Sequence, residues 1–271
     1  MKKRIYILGY INPEQYEKRK PIQAKVAQYW LDMGYEVNVL DPTFTEQEFF
    51  EFMPKSVIRH SDDNFKFIPY SRNWAIDHAT SQNYDDFVAI ADNDCTLRDM
   101  SDYDLNVKDL LDALHESDAE AIFASPPTSF IKEFFDNNQY ARTHLVLTSE
   151  NQFKSSLCWV HTKSTHRFDR WYEQPYKNFR ITPGSDADFG LRGKMNGVKI
   201  RLAKQLIQHE HGGIVASTWD NTMERSGVKQ WLVRLDISNM ISFNNNYNHQ
   251  FGKRDLIKLP GVYVPADDLF S

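Results

Sequence analysis

This 271-residue chain lacks long apolar runs, cysteine in quantity and any excess of basic charge. No stretch approaches the about 18 consecutive apolar residues that a membrane-spanning helix needs, which excludes a membrane class. Only two cysteines occur, Cys95 and Cys158. Each sits in apolar sequence (ADNDC, SSLCWV), and they read as reduced thiols of a cytoplasmic protein rather than as a disulfide framework. Lys+Arg 32 against Asp+Glu 37 leaves a net charge of −5, which argues against a general electrostatic grip on polyanions. Glycine is scarce at 11 residues, and no G-x-x-x-x-G-K-[ST] phosphate loop is present. The start, MKKRIYILGYINPEQ, is basic, but its apolar run is short and lacks a small-residue cleavage pattern, so no secretory leader is predicted. With 41% hydrophobic and 14% aromatic residues, collagen, coiled-coil and disordered classes also fall away.

What is there alternates between strand and helix signals. Arg4–Tyr10 (RIYILGY) reads as a buried strand ended by Asn12-Pro13. Pro21 is predicted to open a helix whose apolar positions Ile22, Val26, Tyr29, Trp30 and Met33 share one face, with Gly34 stopping it. Tyr35–Leu40 is the next strand, and the β-α-β order favours a parallel sheet. Residues 65–70 (FKFIPY) read as a third strand and Ser71 as the cap of a helix carrying Arg72, Ala75, Ile76 and Ala79 on one side. The continuous apolar run Phe87–Ala91 (FVAIA) marks a central strand covered on both faces. Val107 to Leu114 gives a short amphipathic helix and Glu120–Ala124 a further strand. Beyond them come strands at 144–148 and 156–161, a helix over Asp186–Asn196, and extended segments Val198–Leu202 and Gln205–His209. The polar tail after 235 reads as loop-rich. The expected architecture is a mostly parallel α/β sheet flanked by helices over residues 1–215, with a C-terminal extension, 216–271, packed on it.

Four features carry chemistry. Asp92-Asn93-Asp94 follows directly on FVAIA, and in an open parallel sheet ligands bind beyond the carboxyl ends of the strands. Unpaired carboxylates cannot be buried cheaply, so acids at this place call for a cation; Mg or Mn takes one or two carboxylates plus substrate phosphates. The bare D-x-D pattern recurs at Asp102/Asp104 and Asp186/Asp188, so a plain turn with solvated acids is the competing reading. Upstream, Arg72 in the first turn of its helix points toward the sheet edge, where a guanidinium suits a diphosphate. Alternatively it lies over apolar neighbours, paired to Asp85 or Asp86. Asp186 and Asp188 open a later helix, either as caps or with one of them facing the cleft as general base. His209 and His211, on extended backbone, project to the same side. They are either metal ligands, which would favour Mn, or a solvent-exposed pair.

In this order the four pieces resemble the GT-A fold nucleotide-sugar glycosyltransferases. That family's A-R-N-x-x-x-x-x-A helix, strand and D-x-D correspond to SRNWAIDHA and DFVAIADNDCTL. Its E-D-x-D-x-x-x-R-x-x-x-x-G-x-K-I block corresponds to SDADFGLRGKMNGVKI, with Ser185 where the family has Glu. The opening RIYILGYINPEQ lacks the family's polar P-V-Y-N type start. The resemblance spans residues 1–215 and is densest at 71–97 and 185–211. It implies a GT-A (Rossmann-like) fold and transfer from a nucleoside-diphosphate sugar, a UDP-sugar above all, with a divalent metal, Mn or Mg. By the same resemblance Asp94 binds the metal and Asp92 the ribose or, through water, the metal. Arg72 and Asn73 lie beside the nucleotide or donor sugar, His211 is a further metal ligand with His209 second to it, and Asp186, or its neighbour Asp188, is the base.

A looser similarity connects the chain to the sugar transferases of T-even-type bacteriophages, which implies hydroxymethylated or already glucosylated cytosine in DNA as acceptor. Lys18, Arg19, Lys20, Arg192, Lys194, Lys199, Arg201 and Lys204 would then face phosphates, unless they are ordinary solvated charges. Trp159, Trp171 and Trp219 would stack on sugar or base, unless they are core. A cytosolic protein or small molecule is the alternative acceptor. A nucleotidyltransferase and a non-catalytic nucleotide-sugar-binding protein are the alternative functions.

Overall fold

The structure is a computed structural model and describes residues 2–11, 13–126, 131–136, 138–149, 156–168, 175–176, 179–180 and 185–211. The chain runs β1 (Arg4–Leu8), α1 (Tyr16–Asp32), β2 (Glu36–Asp41), α2 (Glu46–Phe52), β3 (Ile58–Ser61), α3 (Ile68–Ser81), β4 (Phe87–Asp92) and β5 (Cys95–Leu97). It continues with α4 (Val107–His115), β6 (Ala121–Ser125), α5 (Ile131–Asp136), β7 (Leu147–Thr148), β8 (Leu157–His161), the small hairpin β9 (Pro175–Tyr176) and β10 (Phe179–Arg180), α6 (Ser185–Met195) and β11 (Ile200–Glu210). A nine-stranded sheet has the order β3-β2-β1-β4-β8-β6-β11-β5, with β7 also on β11. β1, β2, β3 and β4 are parallel to one another, as are β6 and β11. β8 runs antiparallel between β4 and β6. The expected α/β class, a mostly parallel sheet flanked by helices, is therefore the one observed.

Alternation along each strand sends side chains to two separate cores. Ile5, Ile7, Val37, Val39, Ala89, Ala91, Ile122 and Trp159 enter the core on the α1 side. Tyr6, Leu8, Leu40, Val88, Ile90, Phe123, Cys158 and Val160 enter the other, against Ala75, Ile76 and Ala79 of α3. Strands covered on both faces are why FVAIA reads as an unbroken apolar run. At the end of β1 the backbone of Gly9 donates to the Leu40 carbonyl at 2.9 Å, and a Cβ there would meet that oxygen at 2.6 Å. Only glycine lets the two strand ends approach so closely.

Three expectations are corrected. The first helix begins at Tyr16, so Pro21 lies inside it rather than at its opening. Residues 65–70 are not a strand: Asp62 accepts from the Asn64 N–H at 2.8 Å and starts a 3-10 turn, and Pro69 sits in the first turn of α3. Ser71 is accordingly internal, its hydroxyl donating to the Phe65 and Phe67 carbonyls. The third strand is instead Ile58–Ser61, a short edge segment whose polar IRHS sequence shows no apolar run. Finally, the two extended segments near the end are one strand, β11, with a register shift between Ala203 and Ile207. The expected extension at 216–271, with Trp219 and the polar tail, lies outside the described residues, as does Trp171. No described helix is long and apolar enough to cross a membrane.

A cluster outside the strand-end site yields a test. His60 on β3 is half-buried against Trp74 and His78 of α3, with ring centroids at 5.0 and 4.8 Å, and its Nε2 is hydrogen-bonded to Asn38 at 2.9 Å. Burial, then the neighbouring His78, push its pKa down from 6.5 to about 4. Below pH 6.5 the unfolded chain binds a proton that the fold resists, so stability falls with pH through that window and levels off below about 4. We expect a loss of about 2 kcal/mol, after solvent screening at this half-buried site, that His60→Gln removes. Denaturant midpoints at pH 7, 6, 5 and 4 for both proteins measure it, and parallel profiles would contradict it.

Candidate active site

Asp92 is the last residue of β4 and lies opposite Leu8 of β1. Its backbone N–H donates to the Ser156 carbonyl at 2.8 Å, just ahead of β8. Because β8 runs antiparallel, its start lies at the same edge as the ends of β1 and β4. A tight turn through Asn93 and Asp94 leads into β5, which pairs with the end of β11 (His209 opposite Thr96, Glu210 opposite Cys95). The His211 N–H then donates to the Asp94 carbonyl at 2.8 Å. The D-x-D turn and the paired histidines, over a hundred residues apart in sequence, thus meet through sheet registry.

Arg72 sits at the centre of the arrangement. It is 5% exposed. Its Nη2 lies 3.7 Å from an Asp92 carboxylate oxygen and its Nη1 lies 3.8 Å from Asp186 on α6. These are ion-pair distances, too long for hydrogen bonds. Among the described residues, Nε and Nη1 are buried without a hydrogen-bond partner. Burial alone would lower the guanidinium pKa, but Asp186 and Asp92 outweigh it and raise the value. The neighbour that shapes this pocket is Phe168, whose ring centre lies 5.0 Å from the guanidinium carbon. Asn73 fixes Phe168 by two hydrogen bonds, donating Nδ2 to its carbonyl at 2.9 Å and accepting from its N–H at 2.8 Å. Phe168 in turn stacks on Phe189 of α6 at 4.1 Å, which seats the helix that carries Asp186 one turn earlier.

Asp94 is held differently. Arg19 of α1, 7% exposed, donates Nη1 to Asp94 Oδ2 at 2.7 Å. Asn93 donates Nδ2 to the Tyr10 carbonyl at 2.7 Å, tying the β4–β5 turn to the segment after β1, where the Tyr10 ring is exposed. Burial, and then the Asp94 and Asp186 carboxylates working against Arg72, push Asp92 up to about 7. His211 is shifted down by burial, by His209 and by Lys25. Its Nε2 is hydrogen-bonded to Thr96 Oγ1 at 2.9 Å, and its ring meets His209 edge-on at 4.5 Å.

Asp92 and Asp94 offer hard oxygen donors at one strand end, which suit a divalent cation of the Mg or Mn type. Two carboxylates, with a substrate's phosphates supplying the remaining positions, make a fitting set. The histidines do not extend it: among the described residues no three His, Cys, Asp or Glu side chains converge as metal ligands.

No family model and no curated protein matches this chain. Among solved structures, a Bacillus anthracis protein assigned as a glucose-1-phosphate thymidylyltransferase, in complex with sucrose, superposes with a TM-score of 0.47 at 11% identity. The alignment covers 83% of this chain and 95% of that one. Likeness at that level says nothing of chemistry, which lives in particular side chains.

Of the site residues expected from sequence, Arg72, Asp92 and Asp186 come together, and Asp94, His209 and His211 adjoin them. Asn73 has both ends of its amide taken up by the Phe168 backbone and so acts on Arg72 through Phe168. The side chain of Asp188 lies outside the described residues. Asp85 and Asp86, the alternative partners for Arg72, pair instead with Lys163 at 3.0 Å and His115 at 2.8 Å. Trp159 is core, fully buried, and donates to the Tyr35 hydroxyl. Sequence reading missed Phe168, which no motif flags, and named Arg19 only among the cations that would face phosphates, not as the partner of Asp94. Helical spacing could have found Arg19, since it continues the Gln23, Val26, Ala27 and Trp30 stripe.

Asn73→Ala removes two hydrogen bonds to the Phe168 backbone and should cost about 2 kcal/mol of stability. Equilibrium urea unfolding measures this. A loss under about 0.5 kcal/mol would mean that Phe168 is held by its ring contacts alone.

Proposed function

We propose that the chain is a glycosyltransferase that takes a sugar from a nucleoside-diphosphate sugar, a UDP-sugar in the first instance, and passes it to an acceptor hydroxyl. The observation that carries this is Arg72. A guanidinium buried at the end of a parallel sheet, with two nitrogens lacking hydrogen-bond partners among the described residues, is arranged for an anion that arrives from outside. Forked N–H donors match the oxygens of a diphosphate. The D-x-D turn and the α6 carboxylate beside it support the same reading, as does the sequence resemblance over residues 1–215. Residues 216–271 are proposed as an extension of that catalytic unit.

Transfer breaks the bond between the anomeric carbon and the diphosphate while the acceptor oxygen bonds to that carbon. Asp92 and Asp94 would hold a divalent cation, which supplies Lewis-acid neutralisation of the leaving group when bound. Arg72 holds and orients the diphosphate and meets the charge that grows on it. Phe168 covers the guanidinium and keeps water from its face. Asp186, at the start of α6 and close to Arg72, accepts the proton of the acceptor hydroxyl. If Asp186 stands opposite the diphosphate the anomeric carbon inverts; if no acid stands there, configuration is retained.

For the acceptor, the sequence similarity to phage DNA sugar transferases favours the hydroxyl of hydroxymethylated or already glucosylated cytosine. A cytosolic protein or small molecule would show itself as label in those fractions of the same transfer assay.

Labelled UDP-sugar is followed for hydrolysis and transfer with Mn and with EDTA. Asp94→Ala and EDTA should each abolish donor turnover. Asp186→Asn should lower transfer by about 10²–10⁴-fold while donor binding stays within a few-fold of wild type. Arg72→Lys keeps the charge but loses the fork, and should weaken donor binding by about 10-fold or more. Turnover that survives both EDTA and Asp94→Ala would remove the cation from the mechanism. Unchanged transfer by Asp186→Asn would remove the base.

A further inference from the structure

The cation expected at Asp94 finds a cation of the protein's own already there. Arg19 reaches from the first turn of α1, is 7% exposed and places Nη1 2.7 Å from Asp94 Oδ2, with Asn93 Oδ1 at 3.5 Å from the same nitrogen. A divalent ion on that carboxylate oxygen would stand within contact distance of the guanidinium, and two positive centres so close repel strongly in a partly desolvated site. The two compete for the oxygen. The turn is otherwise held firmly, by Asn93 to the Tyr10 carbonyl and by the His211 N–H to the Asp94 carbonyl. What can move is the long side chain of Arg19, whose fork is matched to phosphate as well as to carboxylate.

We propose that Arg19 is the resident counter-ion of the aspartate pair. In the ligand-free protein it occupies Asp94 in place of a divalent cation, and when cation and donor load together it transfers its hydrogen bonds to the diphosphate. This rests on the reading that the strand end takes a divalent cation with a diphosphate, and it adds to Arg72 a second arginine on the leaving group. Arg19 and the free cation then compete, whereas Arg19 and the cation–diphosphate complex cooperate.

The test uses two probes that need no sugar transfer: Mn alone, titrated by electron paramagnetic resonance, and inorganic pyrophosphate at saturating Mn, titrated by calorimetry. Arg19→Gln should tighten Mn alone by about 5-fold or more and weaken pyrophosphate by about 10-fold, opposite signs that a damaged fold cannot produce. Arg19→Lys, which keeps the charge, should leave Mn affinity near wild type and recover part of the pyrophosphate binding. Weaker or unchanged Mn binding in Arg19→Gln, or pyrophosphate affinity that ignores the substitution, overturns the proposal. Absence of Mn binding in every variant overturns it as well. If both probes behave as expected and no UDP-sugar is turned over, the counter-ion role stands and the transferase reading falls.

Discussion

The strand end is organised around one uncomfortable charge. Arg72 lies in the interior with Asp92 and Asp186 near it but not in hydrogen-bonding contact. Taking a guanidinium out of water costs several kcal/mol; the carboxylates at 3.7 and 3.8 Å offset that by charge but leave Nε and Nη1 without a hydrogen bond among the described residues. A residue kept for stability alone would be closed off by close hydrogen bonds, as Asp41 is. Its Oδ2 takes Arg59 at 2.8 Å while its Oδ1 takes two backbone N–H groups. The contrast between a satisfied buried pair and an unsatisfied one in the same fold is what marks Arg72 as the candidate site.

Everything that surrounds Arg72 keeps it in that state. α3 is anchored by Ala75, Ile76 and Ala79 against the sheet, so the turn before them has little freedom to swing the guanidinium outward. Asn73 and Phe168 close one side, and Phe168 locks to Phe189 so that α6 and α3 share a single aromatic joint. On the other side β8, inserted antiparallel, brings its first residues rather than its last to the ligand edge. Ser156 accordingly ties to Asp92, to Gln208 and to Glu210. The end of β11 is drawn in by β5. Sheet topology, more than any local preference, makes neighbours of residues 72, 92, 186 and 211.

The parts of this legible in the sequence were those governed by short-range periodicity. The FVAIA run, the β-α-β opening and the apolar stripe of α3 follow from burial on one or two faces, and the structure has them where the pattern puts them. What escaped was set by polar or long-range contacts. The edge strand at Ile58–Ser61 has no apolar signature because its sheet face is only half covered, while FKFIPY has one and yet turns helical under Asp62 and Pro69. In the site, D-x-D and Arg72 could be found because strand-end placement gives them meaning. The roles of Asn73 and Phe168 could not, since their partnership joins positions 95 residues apart through backbone atoms. Nor could a run of three basic residues announce that each meets a different environment.

That run carries a lesson about how this fold tolerates change. Lys18 is exposed, Arg19 reaches Asp94, and Lys20 lies over the rings of Tyr16, Phe44 and Phe52. Consecutive helical residues are turned by about 100°, so their fates are fixed by the angular phase of α1, which Gln23, Val26 and Trp30 lock into the core. Lengthening the stretch before Tyr16 would leave that phase untouched. A single residue inserted between Arg19 and Gln23 would rotate the basic triplet past the aspartate turn, so descendants of this chain should vary in length before the helix and never within that turn.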